Sequence, residues 1–345
     1  MKILIDINHP AHIHYFRNFY FEMCSQGHEI LLVTRNKEIT IELLSLYNIP
    51  YINRGVGYDG RLGKFVYMIY ADIFLLKLAL KFKPDVFLNF LHPYPSHVAT
   101  IMNVPSLVFS DTEHASLHHK LTVPFASKIF TPDCYRIDIG SKQIRFKGFM
   151  ELAYLHPNYF SPDSSILSLL GVEEGEKYVI VRFVSWAAAH DFGHNGMSLE
   201  NKRKAIMFMS QYAKVFITSE RELPEDLVQF QIQIPFDRIH DALYFSSLLF
   251  GESATMASES AVLGTPAIFI DNDGRGYTDR LQTEYSLVYN FKESEEDQEK
   301  AILKSIEILK DENSKQAAGK SRARLLAESI DTTEFMMEVV LKENR

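Results

Sequence analysis

Cysteine is scarce in this chain. Cys24 and Cys134 are the only two in 345 residues, too few for a disulfide scaffold or a cysteine-built metal site, and they fit a reducing compartment. A basic excess is also missing. Thirty-six Lys and Arg stand against 44 Asp and Glu, a net charge of −8, which sets nucleic acid aside as a partner. No apolar run is long enough for an easy membrane span. The longest, residues 64–83, is broken by Asp72 and Lys77. The opening MKILIDINHP turns polar at Asn8 after six residues, which reads as a strand and not a signal peptide. A soluble cytoplasmic protein is expected. With 46% hydrophobic and 23% charged residues the composition is globular, and at about 150 residues per domain the length predicts two domains.

Short apolar runs alternate with stretches of helical length. In the first half, strands are expected at 2–7, 29–34, 50–54, 85–90, 105–110 and 128–132, with helices at 13–26, 38–47, 64–83, 94–102 and 115–122 between them. The pattern breaks over 148–176. It restarts with strands at 178–183, 214–219, 231–235, 248–252, 266–271 and 287–291, and ends in helices at 294–310, 313–329 and 332–342. Buried runs with helices between them imply parallel sheets covered on both faces. The expected fold is α/β: two Rossmann-like doubly wound domains facing across a cleft. The expected boundaries are 1–150 for an N-terminal domain on the acceptor and sugar side, 151–176 for a linker, 177–330 for a C-terminal nucleotide-binding domain, and 331–345 for a terminal helix returning to the first domain. Ligands in such sheets bind beyond the strand C-termini.

The strongest local signal is LLFGESATMASESAVLGTPAIFID, residues 248–271. A strand ends, Gly251 turns, and Ser253 and Thr255 open a helix. Ser253 is a good N-cap, and free amides at a helix start suit a phosphate. Glu259 lies four residues beyond Thr255 on the same face, where a carboxylate could meet a ribose diol. A plain strand–capped helix–strand unit reads the same way, with Glu259 on a solvated face.

The run G-E-S-x-T-x-x-x-E-x-x-x-L-G-T-P resembles the nucleotide-binding segment of GT-B glycosyltransferases and of UDP-N-acetylglucosamine 2-epimerases. The resemblance implies that Ser253 and Thr255 contact a diphosphate and Glu259 a ribose. Ala254-Thr255 stands where Gly-Gly is usual in those families. D-I-N-H-P-A-H-I-H-Y-F-R, R-I-H-D-A-L-Y-F-S-S-L-L-F-G-E and R-G-Y-T-D look like a domain-of-unknown-function family placed beside the epimerases. The epimerase motif G-T-R-P-E is replaced here by D-I-N-H-P, which lowers the epimerase reading.

Three further groups are candidates. His9, His12 and His14 follow the first strand. As loop residues at the ligand edge, His9 or His12 could act as a base near neutral pH; a metal site would need another ligand, and none is expected. The fourth strand runs out into Asn89, His92 and His97 and the fifth into Asp111, Glu113 and His114, and both ends are expected at one cleft edge. Glu113 with His114 resembles an epimerase segment in which a carboxylate follows this strand, which implies Asp111 and Glu113 as acid/base residues, with Asp111 capping the next helix as the structural alternative. The resemblance to GT-B folds implies that Arg182, with the loop of Ser185, Trp186, His190, Asp191 and His194, approaches a diphosphate; a flexible surface loop is the alternative. Arg275 and Arg280 are further phosphate candidates.

The expectation is a metal-independent glycosyltransferase with a UDP-type nucleotide-sugar as substrate, no cofactor, and a glycan or lipid-linked acceptor. The alternatives are an epimerase acting on a UDP-N-acetylhexosamine and a non-catalytic nucleotide-sugar-binding protein. Residues 64–83 leave two readings open. One is a core helix whose lysine stems cover its rim. The other is an interfacial helix docked on anionic lipid at the inner face of the membrane, with Lys77 and Lys81 as contacts.

Overall fold

The computed structural model describes residues 1–37, 39–184, 196–219 and 222–343. The chain forms two units, residues Met1–Tyr159 together with the stretch from Ser329 onward, and Phe160–Glu328. The chain passes from one to the other at Tyr159–Phe160, inside the stretch expected as a linker.

The first unit runs β1 (Lys2–Ile7), α1 (Pro10–Ser25), β2 (Glu29–Thr34), α2 (Thr40–Leu46), β3 (Ile52–Asn53), α3 (Gly60–Phe82), β4 (Val86–Phe90), α4 (Pro93–Met102), β5 (Ser106–Phe109), α5 (Ser116–Thr122), β6 (Lys128–Pro132), β7 (Gln143–Phe146) and α6 (Leu152–Leu155). The sheet is parallel with order β3-β2-β1-β4-β5-β6-β7. Strands β1, β4 and β5 are buried almost throughout because helices cover both faces. The chain's last helix, Thr332–Lys342, belongs here. Its Phe335 ring lies 5.2 Å from Phe146 and 5.6 Å from Phe130. The Thr332 and Thr333 hydroxyls donate to the carbonyls of Phe149 and Ala153.

The second unit runs α7 (Ser165–Leu170), β8 (Tyr178–Phe183), α8 (Leu199–Met209), β9 (Lys214–Ser219), α9 (Ile239–Phe245), β10 (Leu248–Gly251), α10 (Ala254–Val262), β11 (Ala267–Ile270), α11 (Gly276–Thr283), β12 (Val288–Phe291), α12 (Glu295–Lys310) and α13 (Ser314–Glu328); the last helix of the chain is α14. Its parallel sheet has order β12-β11-β10-β8-β9. Val179, Val181, Phe250 and Ile268 form its core with α8 and α12 residues such as Ile206 and Ile302.

Three sequence expectations change. The histidines after β1 are not on a loop: α1 begins at Pro10, with His9 as its N-cap. Proline at the first helical position has the right φ and lacks only an amide that would be unpaired there. The expected strand 231–235 reduces to one bridge, Ile217 with Gln231, followed by a 3-10 turn over Phe236–Arg238. Strand β7, unexpected from the sequence, is a short edge segment, QIRF, too polar to read as an apolar run.

Candidate functional site

Each sheet reverses its winding once. In the first unit, α1 leads from β1 toward β2 while α4 leads from β4 toward β5, so the switch point lies between β1 and β4. Asp6 and Asn89 pair there in register. A carboxylate inside a buried strand needs a partner. Asp6 has two: Arg54 Nη1 donates to Oδ1, and His92 Nε2 lies 2.7 Å from Oδ2. Arg54 Nη2 donates to Asn8 Oδ1, Nε donates to Tyr67 at 3.1 Å, and the guanidinium sits 5.3 Å over the Tyr94 ring. Asp6 and Arg54 are fully buried.

His92 Nδ1 also faces an oxygen, the Phe90 carbonyl at 3.1 Å. That geometry suits a doubly protonated ring, but burial and then the Arg54 charge push His92 down to about 3. Arg54 already neutralises Asp6, so a second proton has no charge to balance. We assign the neutral ring, with its N–H on Asp6. The amide of Asn8 donates to His12 Nδ1 at 3.3 Å. Burial, then His9 and His92, hold His12 well below the usual histidine range. Its ring is therefore neutral, with the proton on Nε2. His12 stacks on His92, with centroids 6.2 Å apart. His9 caps α1, its Nδ1 accepting the Ala11 amide at 3.2 Å.

The same face of α1 carries Tyr15, one turn beyond His12, and the Phe90 ring touches both. Tyr15 donates to Asp111 Oδ2 at 3.2 Å and Thr112 to Oδ1 at 2.9 Å. Helix α5 is preceded at its N-cap by Ala115, so Asp111 does not cap it. Burial raises the Asp111 carboxyl to about 6; the two hydroxyls work against the rise, and the Glu113 charge adds to it. Glu113 accepts the Arg136 amide at 3.2 Å. Among the candidates, His9, His12, Asp111 and Glu113 thus fall at the C-terminal ends of β1 and β5. His92, expected only as part of the strand end, joins them as a partner of Asp6; Asp6, Arg54 and Tyr15 escaped the sequence reading. The readable signal was an Asp inside the apolar run KILIDI.

In the second unit the switch point lies between β8 and β10. Arg182 and Gly251 are in register there. A Cβ on Gly251 would sit 2.0 Å from the Arg182 carbonyl oxygen, so only glycine permits this approach. Arg182 Nη1 donates to Thr218 at 3.3 Å. Ser253 caps α10, its hydroxyl accepting the Met256 amide at 3.3 Å, and Thr255 lies half-buried in the first turn. Glu259 is not on a solvated face. It is 5% exposed, and His240 Nε2 lies 2.9 Å from its Oε1. Glu252, also unread from the sequence, accepts the amides of Val184 at 2.9 Å and Met197 at 2.6 Å and pairs with Lys202 at 3.1 Å.

Arg275 stands at the N-cap of α11 and donates to the Gly274 carbonyl at 2.6 Å and to Asp271 at 3.4 Å. Asp271 also accepts the amides of Asp273 and Gly274, so this carboxylate closes its own turn. Arg280 pairs with Glu284. The loop with Ser185, Trp186, His190, Asp191 and His194 lies outside the described residues. Among the described residues, no three His, Cys, Asp or Glu side chains are gathered to hold a metal ion, and no helix is long and apolar enough to cross a membrane.

Residues 1–343 match the family described as Protein of unknown function (DUF354). The chain belongs to that family. This DUF354 chain is 27% identical over 280 residues to the uncharacterized protein MJ0665 of Methanocaldococcus jannaschii, covering 78% of this chain and 81% of the relative. Its fold is similar to that of the UDP-GlcNAc 2-epimerase from Neisseria meningitidis bound to UDP-GlcNAc, with TM-score 0.65, 12% identity, and 99% and 100% of the two chains covered. It is also similar to that of the glycosyltransferase VinC in complex with DTDP, with TM-score 0.63, 13% identity and both chains fully covered at 100%. This chain thus has a two-domain α/β fold resembling that of GT-B glycosyltransferases and UDP-GlcNAc 2-epimerases.

Proposed function

We propose that the protein is a metal-independent glycosyltransferase that moves a sugar from a UDP-type donor onto a glycan or lipid-linked acceptor in surface polysaccharide synthesis. The observation that carries this reading is the capped start of α10 at the second unit's switch point, with Arg182 on the adjoining strand. A departing diphosphate needs positive charge already in place. Helix-start amides and an arginine supply it without a metal. Ser253 and Thr255 are assigned to the diphosphate, with Arg182 and Arg275 as its cationic contacts. Glu259, held by His240, is assigned to the ribose. In the first unit, Asp111 is assigned as the base. A carboxyl with a pKa of about 6 is ionised near neutral pH yet remains a useful proton acceptor. It takes the acceptor hydroxyl's proton as that oxygen bonds to the anomeric carbon and the bond to the diphosphate breaks. His12, neutral, offers Nε2–H to a sugar or acceptor oxygen, with His9 beside it at the rim.

A second reading, an epimerase acting on a UDP-N-acetylhexosamine, is supported by Asp111 and Glu113 standing two residues apart after β5, as in a pair of carboxylates sharing acid and base duties. Incubation with radiolabelled UDP-sugars, with and without lipid-linked acceptors and in the presence of a chelator, separates the readings. Acceptor-dependent release of UDP that persists in the chelator supports the transferase. An epimerised sugar formed without acceptor selects the epimerase, and binding without turnover selects a non-catalytic protein.

A further inference from the structure

Helix α3 is apolar on two opposite faces, and the fold uses only one of them. Tyr67, Ala71, Leu75 and Ala79, four residues apart, are buried against the first unit's core. On the other side Leu62, Phe65, Val66, Ile69, Ile73 and Leu80 are each between 45% and 76% exposed. At a helical repeat of about 3.6 residues these six fall along one stripe, about 27 Å from first to last at 1.5 Å per residue. Lys64, Lys77 and Lys81 on the helix and Lys83 just after it are exposed as well. The one acid within α3 is Asp72, and its carboxylate is engaged by His97 Nδ1 at 3.0 Å. In a chain with a net charge of −8, Lys77 and Lys81 flank this apolar stripe on one side, and Asp59 and Asp85 lie only beyond the two ends of the helix. A second copy would press this lysine-edged stripe against another of the same sign. An anionic surface complements it.

We propose that α3 docks the protein on a bilayer containing anionic phospholipid, with the stripe set at the boundary between headgroups and acyl chains and the lysine amines among the phosphates. The near end of the helix reaches the first unit's switch point, because Tyr67 accepts from Arg54 there. Docking therefore brings that network to the membrane surface. The proposal stands on the exposed face alone and does not require the transferase reading.

The test is sedimentation of the full-length protein at low salt with vesicles of phosphatidylcholine, alone or mixed with phosphatidylglycerol. The protein is expected to pellet only with the anionic vesicles. Each lysine near such a surface is worth about fivefold in partitioning, so Lys77→Glu with Lys81→Glu should lower it by about 25-fold or more. Ile69→Asp with Ile73→Asp should abolish pelleting while leaving the thermal midpoint unchanged, since both side chains are exposed. A protein that stays in the supernatant with both lipids overturns the proposal. So does an Ile69→Asp, Ile73→Asp variant that pellets like the parent. A parent that ignores vesicles and forms a dimer dispersed by the same two changes shows that a second copy covers the stripe.

Discussion

Replacing Asp111 with Asn should stabilise the protein, and the gain in stability should depend on pH with a fixed sign. Asp111 is 6% exposed. Burial holds its carboxyl up at about 6, even though the Thr112 and Tyr15 hydroxyls favour the ionised form. In an unfolded chain the value is about 3.9. Between these values the folded protein binds more protons than the unfolded one, so stability falls as pH rises. The contribution of the neutral carboxyl is complete below about pH 4 and is lost as pH passes through about 6. At about 1.4 kcal/mol per pKa unit, ionised Asp111 costs the fold up to about 3 kcal/mol above that range. Asparagine cannot ionise; its one oxygen still accepts from one of the two hydroxyls, and its NH2 faces the other, which must turn to accept. The variant should therefore exceed its parent by about 1–3 kcal/mol near pH 8, with the difference vanishing near pH 4. Urea titrations of both proteins across this range measure it. Turnover of the nucleotide-sugar should fall by a factor of about 10²–10⁴ if Asp111 is the base. A variant less stable than its parent at both ends would refute the reasoning, because Asp111 would then be an ordinary ionised acceptor.

Three further outcomes are expected. Asp6→Asn should destabilise the first unit by about 3–5 kcal/mol, because it leaves the buried Arg54 guanidinium without its counter-ion; hydrogen exchange at the β1 and β4 amides reads this, and Asp6→Leu with Arg54→Met should cost much less. Gly251→Ala should cost about 1–3 kcal/mol or more, since the new methyl must displace the Arg182 backbone, and an unchanged thermal midpoint would contradict the close approach. Glu259→Gln keeps an acceptor for His240 but removes the charge, and should weaken UDP by about 1.5–3 kcal/mol; calorimetry showing unchanged affinity removes Glu259 from the site.

Much of the fold was legible because buried parallel strands are written as uninterrupted apolar runs, as YVIVRF over β8 illustrates. The QIRF edge strand was not, since one neighbour and partial exposure impose no apolar pattern. The α10 segment was legible down to its cap, because Ser253 and the glycine stop at Gly264 act within a few residues of sequence. The histidines were misplaced because Pro10 was not recognised as a helix opener. The Asp6 network was invisible for a different reason. Arg54 and His92 lie 48 and 86 residues beyond Asp6, and only the sheet order brings them together. Glu259 shows both situations: its distance from Thr255 is local, whereas its partner His240 comes from another helix.

The two switch points are built from different chemistry. At β1–β4 the crevice is lined by side chains that hold one another, Asp6 between Arg54 and His92 and His12 stacked on the latter. Such a network fixes tautomers and orientations, and beside it Asp111, held by Tyr15 and Thr112, has a carboxyl raised by burial. At β8–β10 the close approach is backbone to backbone, at Gly251 and Arg182, and the following helix begins with a hydroxyl cap. Backbone amides attract an anion without themselves titrating. The proposed transfer, which expels a diphosphate and removes one proton, needs these two capacities, anion stabilisation and a general base. Substitutions at Ser253 or Arg182 should then change nucleotide affinity while leaving the pH profile set by Asp111 in place. Substitutions at Tyr15 or Thr112, which remove a hydrogen bond to the Asp111 carboxylate, should move that profile to higher pH with nucleotide affinity unchanged.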